Sequence, residues 1–91
     1  MDNRFLFAYN NLAQLYFEQK EYEKAIEIYQ KYLEISPQNL NVLYNLGIIY
    51  YTKKDYDNAI SSFEKILEIQ PENKEIFNSI LRIKNEKVLS Q

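Results

Sequence analysis

The 91-residue sequence contains no cysteine, no histidine and no tryptophan, and only one glycine and two prolines. The first two absences exclude disulfides, thiolate nucleophiles, imidazole bases and cysteine–histidine zinc sites together. A calcium site built on carboxylates needs a D-x-[DN]-x-[DN]-G loop. None occurs, and Gly47 lies inside an apolar run. So little glycine and proline leaves scant turn chemistry for a many-stranded fold, which favours helices. The longest apolar stretch, Leu46 to Tyr51, is too short to span a bilayer. Met1 to Phe5 lacks the apolar core of a secretory signal, so a cytoplasmic protein without membrane partners is expected. Eleven basic and 13 acidic residues are interspersed at a net charge of −2, which gives phosphate backbones no electrostatic footprint.

What is present is a folded composition, 46% hydrophobic and 26% charged, in a length that suits one domain over residues 1–91. The dominant feature is self-similarity. Residues 6–39 align without gaps on residues 40–73, an offset of 34, with fourteen identical positions. Leu12/Leu46, Tyr16/Tyr50, Tyr22/Tyr56, Ala25/Ala59, Leu33/Leu67 and Pro37/Pro71 are among them. A fixed period of this size means a stacked repeat, each unit burying the open face of its neighbour.

Each unit holds two helical patterns. Val42, Leu43, Leu46, Ile49 and Tyr50 form the wide stripe of a core-facing helix. After Thr52-Lys53-Lys54-Asp55 the period resumes with Tyr56, Ala59, Ile60, Phe63, Ile66 and Leu67. Asp55 is placed to cap this second helix, Asn73 the next, and Glu21 holds the capping slot of the first unit. Pro37-Gln38-Asn39 forms the turn between repeats.

These spacings resemble the tetratricopeptide repeat, whose pattern runs W-x2-L-G-x2-Y, A-x3-F, P within 34 residues. The second unit reads Leu43-x2-Leu46-Gly47-x2-Tyr50, Ala59-x3-Phe63, Pro71; the first reads Tyr9-x2-Leu12-Ala13-x2-Tyr16, Ala25-x3-Tyr29, Pro37. Gly47 or Ala13 is expected to face Ala59 or Ala25 and let two helices approach closely. Lys20 and Lys54 depart from the pattern, standing in the intra-repeat turn where the family has glycine, so strain or extra length is expected there. A third unit starts and stops: Phe77-x2-Ile80 keeps the spacing, but Leu81 and Lys84 replace the small residue and the aromatic. Residues 74–89 therefore resemble the closing helix of such a solenoid. The expected fold is all-α, an α-α superhelix: a TPR-like right-handed solenoid of five helices.

The resemblance implies a concave groove lined by the first helix of each hairpin. On the second such helix the face beside the core stripe carries Asn41, Tyr44, Ile48, Tyr51 and Thr52; on the first, Phe7, Asn10, Gln14, Phe17 and Glu18. The closing helix offers Glu75, Asn78, Arg82 and Asn85. Asn11 and Asn45, equivalent in the two repeats, suit amide contacts to a peptide backbone. The expected role is an adaptor or scaffold module binding a protein or peptide with apolar anchors. Packing is the competing reading for Tyr44 and Tyr51, and packing with Phe5 for Phe7. Chaperone-binding relatives grip an acidic C-terminus with a carboxylate clamp of lysine, asparagine, asparagine, lysine and arginine. The matching positions here are Asn10, Gln14, Asn45, Glu75 and Ser79, of which only Asn45 agrees, so no clamp is expected. No nucleophile–base pair and no phosphate loop is found, so neither an enzyme nor a cofactor is expected. The alternative is self-association through the open solenoid ends, for which Leu81, Val88 and Leu89 supply apolar surface.

Overall fold

The computed structural model describes residues 4–91, and among them there are five helices and no strand. They are α1 (Arg4–Glu18), α2 (Tyr22–Ile35), α3 (Leu40–Thr52), α4 (Tyr56–Ile69) and α5 (Lys74–Leu89). Both hairpins and the closing helix expected from the repeat are there. Two compact units emerge, one ending at Val42 and the other beginning at Leu43.

Helix ends follow the residues at the turns. Asn73 caps α5, its Oδ1 accepting from the Ile76 amide at 3.0 Å, and Asn39 does the same for Val42 of α3 at 3.0 Å. The Asn39 amide also donates to the Tyr32 hydroxyl at 2.8 Å, fastening this turn to α2. Asp55 caps α4 through the Asn58 amide at 3.4 Å. Glu21, the matching residue at α2, makes no such bond; its longer side chain lies 3.6 Å from Lys24 instead. The expected cap is therefore present in the second hairpin only.

The turn inside each repeat is not lengthened. In the first, the Lys20 amide bonds the Phe17 carbonyl and the Glu21 amide bonds the Tyr16 carbonyl, both at 2.9 Å. Lys54 and Asp55 repeat this on Tyr51 and Tyr50 at 2.9 Å. Such a paired closure needs a left-handed residue at its centre, and Lys20 and Lys54 supply it with φ of 62° and 64°. Of the two expectations for these turns, strain holds and extra length does not.

In the first unit the buried set is Ala13, Ala25, Ile26, Tyr29 and Val42, with α1 lying against α2. The second unit buries Leu43, Leu46 and Ile49 of α3, Ala59, Ile60, Phe63 and Ile66 of α4, and Ile76, Ile80 and Ile83 of α5. Each large apolar side chain withdrawn in this way contributes about 1.5–3 kcal/mol. The atoms nearest to a side chain at Gly47 belong to Phe63, one turn beyond Ala59 on α4. A Cβ placed on it would meet the Phe63 ring, with Cε1 at 2.6 Å and Cζ at 2.7 Å. What the missing side chain admits is an aromatic ring.

Leu81 holds the position in α5 that Gly47 holds in α3, and it is half exposed, while Lys84 faces solvent. Phe77, at the position of the buried Leu43, is 52% exposed. The free side of α5 thus keeps apolar residues where the preceding repeat packs its second helix.

Candidate functional site

The second unit contains a cleft of about 260 Å³ between α3, α4 and α5. Tyr44, Ile48 and Tyr51 form its wall on α3, spaced so that one helical face presents all three. Phe63 of α4 and Ile83 of α5 floor it, and Glu75, Ser79 and Arg82 edge it along α5.

Five of the residues expected on groove-facing helix sides, Tyr44, Ile48, Tyr51, Glu75 and Arg82, are brought together here. Asn41, Asn45 and Asn78 do not line the cleft, although Asn41 and Asn78 are exposed on the same two helices. Thr52 turns back on its own helix, its hydroxyl donating to the Ile48 carbonyl at 2.8 Å. Phe63, Ser79 and Ile83 belong to the cleft without having been expected there. No helix-face argument on α3 alone could find Phe63, which reaches the cleft past the gap left by Gly47.

In the first unit, Phe7, Asn11 and Gln14 are exposed on α1, and Asn10 is half-buried. Phe7 stands 72% exposed and Phe5 61%, so Phe7 is not packed away. Phe17 lies in ring contact with Tyr22 of α2, centroids 5.8 Å apart. The same contact recurs one repeat later between Tyr51 and Tyr56, at 6.2 Å. At this position the aromatic clasps the two helices of its hairpin in both repeats, at about 0.5–1.5 kcal/mol beyond area burial.

Tyr51 has a second tie. Its hydroxyl donates to both carboxylate oxygens of Glu86 on α5, at 2.8 Å each. That bond, followed by burial and the charge of Glu86, holds the Tyr51 phenol above its ordinary pKa, against a smaller lowering by Arg82. The bond also sets the electrostatics of the cleft. Glu86 stands four residues from Arg82, a spacing suited to an ion pair, yet it engages Tyr51. Neither Arg82 nor Glu75 has a salt-bridge partner among the described residues. Tyr44 is 42% exposed and rests on Phe63 with centroids 5.8 Å apart, so one side of its ring packs and the other is open.

Among the described residues no group of three or more acidic side chains is placed to hold a metal ion, and no helix is long and apolar enough to cross a membrane.

A 34-residue period, paired helices, a small residue under an aromatic ring and left-handed turns at fixed positions together decide the family. Residues 6–72 match the tetratricopeptide repeat family. The chain is a tetratricopeptide repeat domain. A tetratricopeptide repeat domain protein from Salinibacter ruber superposes with a TM-score of 0.78 at 21% identity, over 93% of this chain and 92% of that one. The C-terminal TPR-containing domain of a Plasmodium falciparum protein described as FK506-binding gives 0.76 at 30% identity, over 97% of this chain and 58% of that one. The first TPR of Spaghetti (RPAP3), solved with the HSP90 peptide SRMEEVD, gives 0.55 at 19% identity, over 100% and 98%. No curated protein matches this chain. Tetratricopeptide repeats mediate protein–protein interaction, and that is the class of activity to which this domain belongs.

Proposed function

We propose that this tetratricopeptide repeat domain is a cytoplasmic adaptor module that binds a short polypeptide segment in the cleft between α3 and α5. The observation that carries this reading is the meeting of Tyr44, Ile48 and Tyr51 with Arg82 and Glu75 over an apolar floor. Half-exposed aromatic rings give contact area at low entropic cost, and flanking polar groups fix orientation. A cleft of this volume takes one or two side chains rather than a whole small molecule. Affinity nearer micromolar than nanomolar follows. That Spaghetti's first TPR was solved with a peptide fits the reading. An acidic C-terminus gripped by a carboxylate clamp does not, because Glu75 and Ser79 stand on the cleft rim where that clamp needs other side chains.

Panning a random peptide library displayed on phage, then mapping amide shifts with a selected peptide, tests this. Shifts are expected on Tyr44, Ile48, Ser79 and Arg82, and Tyr44→Ala should weaken binding by about 1–2 kcal/mol. Shifts confined to the outer face of α4, or an affinity indifferent to Tyr44, would sink it.

A second reading, self-association, is favoured by a different surface. Phe77, Leu81, Val88 and Leu89 on α5, like Phe5, Leu12 and Leu15 on α1, are exposed apolar side chains. Sedimentation over a range of concentrations decides it: a mass that stays monomeric refutes this reading and leaves the first intact.

A further inference from the structure

The two charged residues on the cleft carry information about the ligand beyond its being a peptide. Arg82 and Glu75 lie seven residues apart on α5, roughly 10 Å along the helix axis. Both are exposed, both line the cleft, and neither is neutralised by an ion pair among the described residues. The carboxylate best placed to neutralise Arg82 is that of Glu86, and it is held by the Tyr51 hydroxyl. Between the two charges the rim carries Ser79, whose hydroxyl proton is already donated to the Glu75 carbonyl at 3.0 Å. It therefore offers a ligand only acceptor lone pairs, suited to a backbone amide. Opposite stand Tyr44, Ile48 and the floor of Phe63 and Ile83. The rim thus reads negative, acceptor, positive, along an apolar trough.

We infer that the cleft selects an extended peptide of mixed charge, with an apolar side chain seated between a basic residue facing Glu75 and an acidic residue facing Arg82. This rests on the groove reading above and adds its specificity. An extended chain rises about 3.3 Å per residue, so the two charges belong roughly three residues apart, with the apolar anchor between them. A peptide of single sign meets attraction at one end of the trough and repulsion at the other. Charges of this kind choose the partner and its orientation more than they add affinity.

The experiment uses three dye-labelled peptides. One carries lysine, leucine, alanine and glutamate in that order between glycines; the second exchanges lysine and glutamate; the third replaces both by glutamine. Fluorescence anisotropy is read against the intact chain and against the double variant Glu75→Lys with Arg82→Glu. Both residues are exposed, so the variant should keep its helical spectrum and melting profile. Should it not, the neutral pair Glu75→Gln with Arg82→Gln replaces it. The wild type is expected to prefer one charge order over the other about tenfold, and the charge-reversed variant to invert that preference. The neutral variant should abolish it. Raising the salt concentration should shrink the preference, as screening requires. Equal affinity for all three peptides, a preference that survives reversal, or no binding of any of them overturns the proposal. The groove reading is judged separately, by whether Tyr44→Ala weakens a library-selected peptide whatever its charge.

Discussion

The ring of Phe63 occupies the space that a side chain on Gly47 would need, its Cε1 lying 2.6 Å from the point where a Cβ would sit. Phe63 is buried and rests against Tyr44, so its ring cannot swing clear without disturbing the cleft wall. In the first repeat the same two positions hold Ala13 and Tyr29, both buried. The two hairpins solve one packing problem with different pairs of residues.

Gly47→Ala should therefore destabilise the domain. Alanine gains about 1 kcal/mol in helix propensity, but overpacking of a close-fitted core costs about 1–3 kcal/mol. A lower melting temperature is expected, with Phe63→Leu in the same chain recovering part of the loss. A melting temperature that rises in the single variant contradicts this account.

Replacing Lys54 with glycine should stabilise. An L side chain at φ 64° costs about 1–2 kcal/mol, which glycine does not incur. Part of that gain is returned through the freer unfolded chain, leaving about 0.5–1 kcal/mol. Lys20→Gly should behave alike, and the two changes should add, as distant sites do. Chemical denaturation midpoints of the singles and the double provide the check.

The capping difference between the hairpins is also measurable. Asn73→Ala should cost about 1 kcal/mol, since it leaves the Ile76 amide without its acceptor. Glu21→Ala should cost less than about 0.5 kcal/mol, because only a surface ion pair is lost. Glu21→Asp should stabilise slightly, giving α2 the cap that Asp55 gives α4. Thermal melts at neutral pH order the three variants.

Tyr51 predicts a pH dependence. Its phenol is raised in the folded state because it donates to Glu86, so the bond's contribution is complete below the unfolded tyrosine pKa of about 10. As pH climbs through the higher folded value the proton is lost and the contribution goes with it, so stability should fall above about pH 10. Tyr51→Phe should flatten this fall relative to wild type, and should cost under about 1 kcal/mol at neutral pH given the half-exposed site. The same change frees Glu86 to approach Arg82. It should therefore reduce the charge-order preference of the peptides above, and an undiminished preference would contradict the role given to that carboxylate.

The sequence by itself determined the tetratricopeptide repeat and its five helices. Those features are written in residues near one another or at a constant offset: the 34-residue period, Asp55 and Asn73 before their helices, Pro37 and Pro71 after them. It also carried the α3 wall of the cleft, because Tyr44, Ile48 and Tyr51 share one helix and its periodicity alone puts them on one face. Only the tertiary structure decided which charges stay open and what lies beneath the tyrosines. Phe63 reaches the cleft because Gly47 yields space to it, and Arg82 remains unpaired because Glu86 reaches across to Tyr51, 35 residues away in the chain. No local pattern encodes that choice, since a carboxylate four residues from an arginine reads in sequence as its ion-pair partner until another helix brings a second donor to it.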